Sequence, residues 1–202
     1  MGSMLDVIGA TIIGAVFILA MVTAVYNVQV ITYNSNMMLT TTQITDKVIT
    51  AIDSFYVPNL GLGVTSGDAI KEAGEHSFKF KGIIEGSVID TILIRREGTA
   101  GNYTLNIYKE LPGGSLSQQL GPFNLTDSEN NLKFTYFKYV LSGGTYTATP
   151  ITGSADIPDI RFVQIDLDMK QNMVRNDVDA RDLHNHIQTW VYFKSLYITL
   201  GP

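Results

Sequence analysis

The sequence contains no cysteine. No disulfide can staple the fold, and no thiolate can serve as nucleophile or metal ligand. There is no proline before Pro58, so the first quarter of the chain has no helix-breaking imino acid. Between Val7 and Thr45 there is no Asp, Glu, Lys or Arg. Basic residues are the minority, 14 against 19 acidic, for a net charge of −5. That balance does not provide a cationic surface, and no nucleic-acid partner is expected. G-x-S-x-G, H-E-x-x-H and the phosphate-binding loop are missing too. No catalytic residue is nominated, and the chain is not expected to be an enzyme.

What is present begins with "MLDVIGATIIGAVFILAMVTAVYNVQV", positions 4–30. Val7 to Val25 matches the roughly 20 residues a helix needs to cross a bilayer. No small-x-small cleavage site closes the run, so a retained membrane helix is expected rather than a cleaved signal. Apolar residues then continue at helical spacing through Ile31, Met38, Ile44, Val48, Ile52 and Phe55. The pattern predicts one helix from about Met4 to about Phe55, roughly 75–80 Å long at 1.5 Å per residue. Thr32–Asn36, rich in β-branched and short polar residues, is the expected place for fraying. The division expected is an apolar helix over 1–30, an amphipathic continuation over 31–57 and a β-rich head over 58–202. Ile44, Val48, Ile52 and Phe55 are expected to cover the head.

A helix apolar on every side needs lipid or other protein around it. Gly9 and Gly14, with Ala10, Ala15 and Ala20, would let neighbouring helices approach closely. Asp6 is the one acid before the run. It can act as a helix-start charge favoured by the helix dipole. It can equally pair with a cation of another subunit, since a carboxylate beside apolar surface is costly when unpaired.

The rest of the chain alternates at period two in "SFKFKGII", "VIDTILIRR", "YTLNIYKEL", "LKFTYFKYVL", "IRFVQIDLDM" and "TWVYFKSLYITL". Turn clusters "GTAGN", "PGGSLSQQLGP", "TDSENN" and "SGGT" separate them. The expected class is α+β, with a long N-terminal helix packed on the apolar face of an antiparallel meander. Asp166 and Asp168 fall on the outward phase of their strand. Ten tyrosines are no binding signal by themselves, because strands favour Tyr. "DVDARDLHNH" is the one dense polar cluster, read as a loop between the last two strands. Its Asp177, Asp179 and Asp182 offer oxygens to calcium, and His184 and His186 offer nitrogens to a transition metal. No other cofactor is expected.

Several segments together resemble the type IV pilin and pseudopilin superfamily. Setting "GSMLD" against that family's N-terminus puts Gly2 at the first mature position, Ser3 at the small hydroxyl position and Asp6 at the acid's position. "AIDSFYVPNLGLG" looks like the helix end and following loop of minor pilins and J-type pseudopilins. "LKFTYFKY", "IPDIRFVQIDLDM" and "WVYFKSLYITL" look like their strands. Many members also carry a helix-bending proline in the apolar half, which this chain does not. The resemblance implies a structural subunit that starts in the cytoplasmic membrane and ends in an extracellular filament. Its partners would be copies of itself or related pilins, and Asp6 would neutralise a neighbour's amino terminus. It also implies that calcium in the head has precedent. The rival expectation is a membrane-anchored, extracytoplasmic adhesive or binding domain that never polymerises.

Overall fold

The computed structural model describes residues 2–64, 69–151, 154–171 and 183–193. The chain forms two compact units, Met1–Thr40 and Thr41–Pro202. The first is a single helix, part of α1 (Gly2–Thr50). No break occurs at Thr32–Asn36. Thr32 Oγ1 donates to the Val28 carbonyl at 2.8 Å, and Thr40 Oγ1 to the Asn36 carbonyl at 2.9 Å. These two hydroxyls, which could compete with the backbone, are satisfied inside the helix.

In the second unit α1 passes into a π-helical turn, Ala51–Tyr56, and a 3₁₀ turn, Val57–Asn59. Leu60 then bridges to Gly82, and the Gly61 amide donates to the Lys81 carbonyl at 2.8 Å. A side chain at Gly82 would run into the Asn59 carbonyl. Only glycine lets the helix end lie this close to the sheet.

The head is α+β, as expected, but its strands form two antiparallel sheets rather than one meander. The first is a meander of β1 (Ile70–Ala73), β2 (Ser77–Gly82), β3 (Asp90–Thr99), β4 (Asn102–Glu110) and β5 (Leu116–Asn124). The second has the order β7 (Thr145–Pro150), β6 (Leu132–Ser142), β8 (Phe162–Gln171), β9 (Leu183–Tyr192). The split falls at "TDSENN". There the Thr126 amide donates to the Asp168 carbonyl at 3.0 Å, and buried Asn131 donates from Nδ2 to the Thr126 carbonyl at 2.6 Å. With these groups satisfied, the chain turns away from β5 instead of pairing back on it.

Two apolar faces then cover each other. Phe78, Phe80, Ile92, Ile94, Leu105 and Ile107 line the first, and Leu132, Phe134, Val163 and Ile165 belong to the second, all buried. The Phe78 ring sits 5.8 Å from Phe134 and 5.4 Å from Tyr136. Tyr136 is buried, and its hydroxyl donates to the Gly74 carbonyl at 2.9 Å. Burial pushes this phenol well above the ordinary tyrosine value, and Glu72 pushes the same way.

Candidate functional site

The first unit is defined by what it leaves uncovered. Ser3–Asn59 contains a window long and apolar enough to cross a membrane, and no part of that window is buried among the described residues. Val16, Phe17, Ile18 and Leu19 project in four successive directions and are 62–67% exposed. Four of its threonine hydroxyls are satisfied inside the helix. Thr11 and Thr23 donate to the carbonyls of Val7 and Leu19 at 2.8 and 2.9 Å. These side chains thus need no external acceptor from lipid or protein.

Asp6 is exposed near the start of this helix. Gly2 is the first residue of α1. At Gly9 and Gly14 an added Cβ would meet nothing within 4 Å. Glycine inside a helix costs about 0.5–1 kcal/mol relative to alanine. No contact within the described subunit compensates for that cost.

The face that enters the head is Thr41, Thr45, Val48, Ile52 and Tyr56, all buried. Val48 and Ile52 are core residues, and Ile44 packs beside them partly buried. Phe55 requires a correction: it is 40% exposed, and Tyr56 takes the core position. In an unbroken α-helix Phe55, seven residues after Val48, would share its face. The π turn overrides this. The Val57 amide donates five residues back, to the Ile52 carbonyl, so each residue turns through a smaller angle than in an α-helix. The inward direction consequently falls one position later. The head unit also begins at Thr41. Ile31 and Met38, expected on the amphipathic face, are 64% and 63% exposed. Thr41 and Thr45 escape a reading by apolar spacing, which does not count threonine. Thr45 Oγ1 donates to the Thr41 carbonyl at 2.8 Å, leaving its methyl group to pack.

Of the polar cluster, Asp177, Asp179 and Asp182 lie outside the described residues. His184 and His186 are not in a loop. They lie on β9 opposite Lys170 and Asp168, because β8 and β9 pair along their whole length. Both are exposed. Among the described residues no group of three or more His, Asp or Glu is placed to hold a metal.

No protein-family model matches the chain, and neither does a curated protein or a solved structure.

Proposed function

We propose that the chain is a structural subunit of a type IV pilin-like filament, active through assembly rather than catalysis. One observation carries the reading: a single helix holds an uncovered apolar window of membrane-crossing length, yet its last turns are core residues of a β head. An anchor serving only as a tether needs no such continuity.

In this reading the helix starts in the cytoplasmic membrane with the head outside the cytoplasm. Assembly moves its apolar surface from lipid to a bundle of neighbouring helices. Burial is exchanged, so no large apolar area meets water. Gly9 and Gly14 mark the places of close approach. Asp6 pairs with the amino terminus of the next subunit, at Gly2 by the resemblance, and sets axial register. Related pilins are the alternative neighbours.

The test is electron microscopy and sheared-filament yield at equal membrane levels of subunit. Asp6→Ala is expected to insert normally but assemble poorly, because it strands a neighbour's ammonium. Asp6→Asn should resemble it, whereas Asp6→Glu should keep substantial assembly. If all three variants polymerise like the parent, Asp6 is only a helix-start charge. If the parent itself makes no filament while the head stays displayed, the chain is a membrane-anchored binding domain.

A further inference from the structure

The outer face of the second sheet is aromatic at one end and hydrogen-bonding at the other. Register pairs Pro150 with Phe137, Phe137 with Phe162, and Phe162 with Tyr192. One row of rings therefore crosses all four strands, roughly 14 Å wide at about 4.8 Å per strand. Phe137 stacks on Phe162 with centroids 4.9 Å apart and planes 2° from parallel. Tyr139 and Trp190 close on the same ring at 5.3 and 5.8 Å. Phe162 points away from the core and is still only 3% exposed, because these rings cover it. The covering rings themselves remain in water: Trp190 is 45% and Tyr192 49% exposed, and Tyr146 at the β7 edge is 69% exposed.

Shielding Phe162 does not account for this arrangement, since a smaller phenylalanine or leucine beside it would leave less aromatic surface wet. Clustered, exposed Trp and Tyr instead mark recognition surfaces. The adjoining rows are polar. Gln164 stands opposite Trp190, and Asp166 opposite Gln188. Asp166 accepts from Gln188 Nε2 at 2.6 Å and from Gln164 Nε2 at 3.1 Å. A carboxylate is thereby held in place one strand-repeat from the rings.

Charge selects among ligands. Among the described residues the lysines of this face, Lys133 and Lys170, are each in an ion pair, with Glu75 and Asp127, and His184 and His186 stand at its far end opposite Lys170 and Asp168. Asp166 adds negative charge next to the row of Gln164 and Trp190, and Asp168 lies one repeat further away, opposite His186. An anionic ligand such as nucleic acid, an acidic lipid surface or a sulfated sugar would meet like charge. A purely apolar partner would leave the Asp166 carboxylate to be desolvated without gain. A neutral sugar chain complements both halves. Its C–H faces suit the electron-rich ring faces, and its hydroxyls can donate to a fixed carboxylate.

We propose that this face binds a neutral glycan, with sugar rings laid on Tyr192, Trp190 and Tyr139 and hydroxyls directed to Asp166 and its flanking glutamines. The site stands apart from polymerisation, and its test needs no filament.

Trp190 is the sole tryptophan of the sequence, so intrinsic fluorescence reports on the platform directly. The full chain, in a sugar-free detergent, is titrated with maltohexaose, cellohexaose, chitohexaose and mannohexaose, and with heparin as the polyanion. A saturable change with at least one neutral hexasaccharide and none with heparin is expected. Tyr192→Ala and Asp166→Asn should each weaken that binding about tenfold or more. Tyr146→Ala, at a position already mostly in water, tests the platform without burdening the fold. No saturable response to any of the four neutral sugars overturns the proposal, and so does an equal response to heparin. Unchanged affinity in all three variants also overturns it. If no sugar binds and Tyr192→Ala splits an oligomer in sedimentation, the face belongs to a second copy.

Discussion

Val16 and Val48 lie on the same helix and have the same side chain. Val16 is 62% exposed and Val48 is fully buried. Ile18 and Ile52 repeat the contrast at 63% and 1%. Helix propensity and residue hydrophobicity cannot distinguish the members of these pairs. The difference is the partner surface: Val48 and Ile52 have one within their own unit, and among the described residues Val16 and Ile18 have none. Fully covering an aliphatic side chain of this size contributes about 1.5–3 kcal/mol. In the head that stabilisation already holds the fold; at Val16 and Ile18 it is not realised among the described residues.

The strongest way to break the contrast is to charge the uncovered half. Gly14→Arg places a guanidinium where Gly14 meets nothing in its own chain. A central arginine costs an apolar helix about 2.5–3.5 kcal/mol on membrane insertion. We expect filament incorporation to be abolished, while the head keeps its circular dichroism spectrum and melting temperature. Normal filament abundance would show that this part of the helix stays in water.

On the covered half, Ile52→Ala should lower head stability by about 2–5 kcal/mol, read from denaturant midpoints. Phe55→Ala, three residues later, should cost clearly less, about 0.5–1.5 kcal/mol, because its partly exposed ring keeps only an edge contact with Tyr56, centroids 5.0 Å apart. Equal costs at the two positions would mean that the π turn does not redirect the face.

That pair also measures how far the sequence can be read. The long helix is legible because a strand or loop does not accommodate a charge-free run of this length followed by helical spacing, and Val48 and Ile52 follow from the period alone. Phe55 is misplaced by the same period because no residue type announces a π turn. Strands with both neighbours present, such as β3, β4, β6 and β8, are legible from alternation. The strands that alternation does not reveal, β1, β5 and β7, are all sheet edges. An edge strand can carry polar side chains, or Gly121 and Pro122 as in β5, without losing a central ladder. The outward phase of Asp166 is readable within one strand. The aromatic row is not, because it exists only once β6, β8 and β9 take a common register.

A smaller contrast concerns pH. Tyr136 is held protonated by burial, so its contribution is complete below the ordinary tyrosine value near 10 and is lost as pH rises above it. Tyr136→Phe should cost about 1 kcal/mol at neutral pH by leaving the Gly74 carbonyl without this donor. It should also flatten the fall in head stability above about pH 10. An alkaline profile identical to the parent's would assign that fall to another group.

The finest test reverses sign between the two settings of the uncovered half. In the dispersed subunit, Gly9→Ala and Gly14→Ala should each stabilise the helix by about 0.5–1 kcal/mol, because alanine fixes less backbone entropy. The structure opposes neither change, since the new methyl meets nothing within 4 Å at either site. In a packed bundle the same methyl would hold apart helices that glycine lets approach. Helicity by circular dichroism in detergent should therefore rise slightly, while the resistance of filaments to shear or heat falls. A methyl group adds apolar area, so a filament without close contact at these positions should be unharmed or strengthened by it. Filaments as robust as the parent's in the double variant would place Gly9 and Gly14 away from the helix contacts and leave assembly to the pairing of Asp6 with the amino terminus.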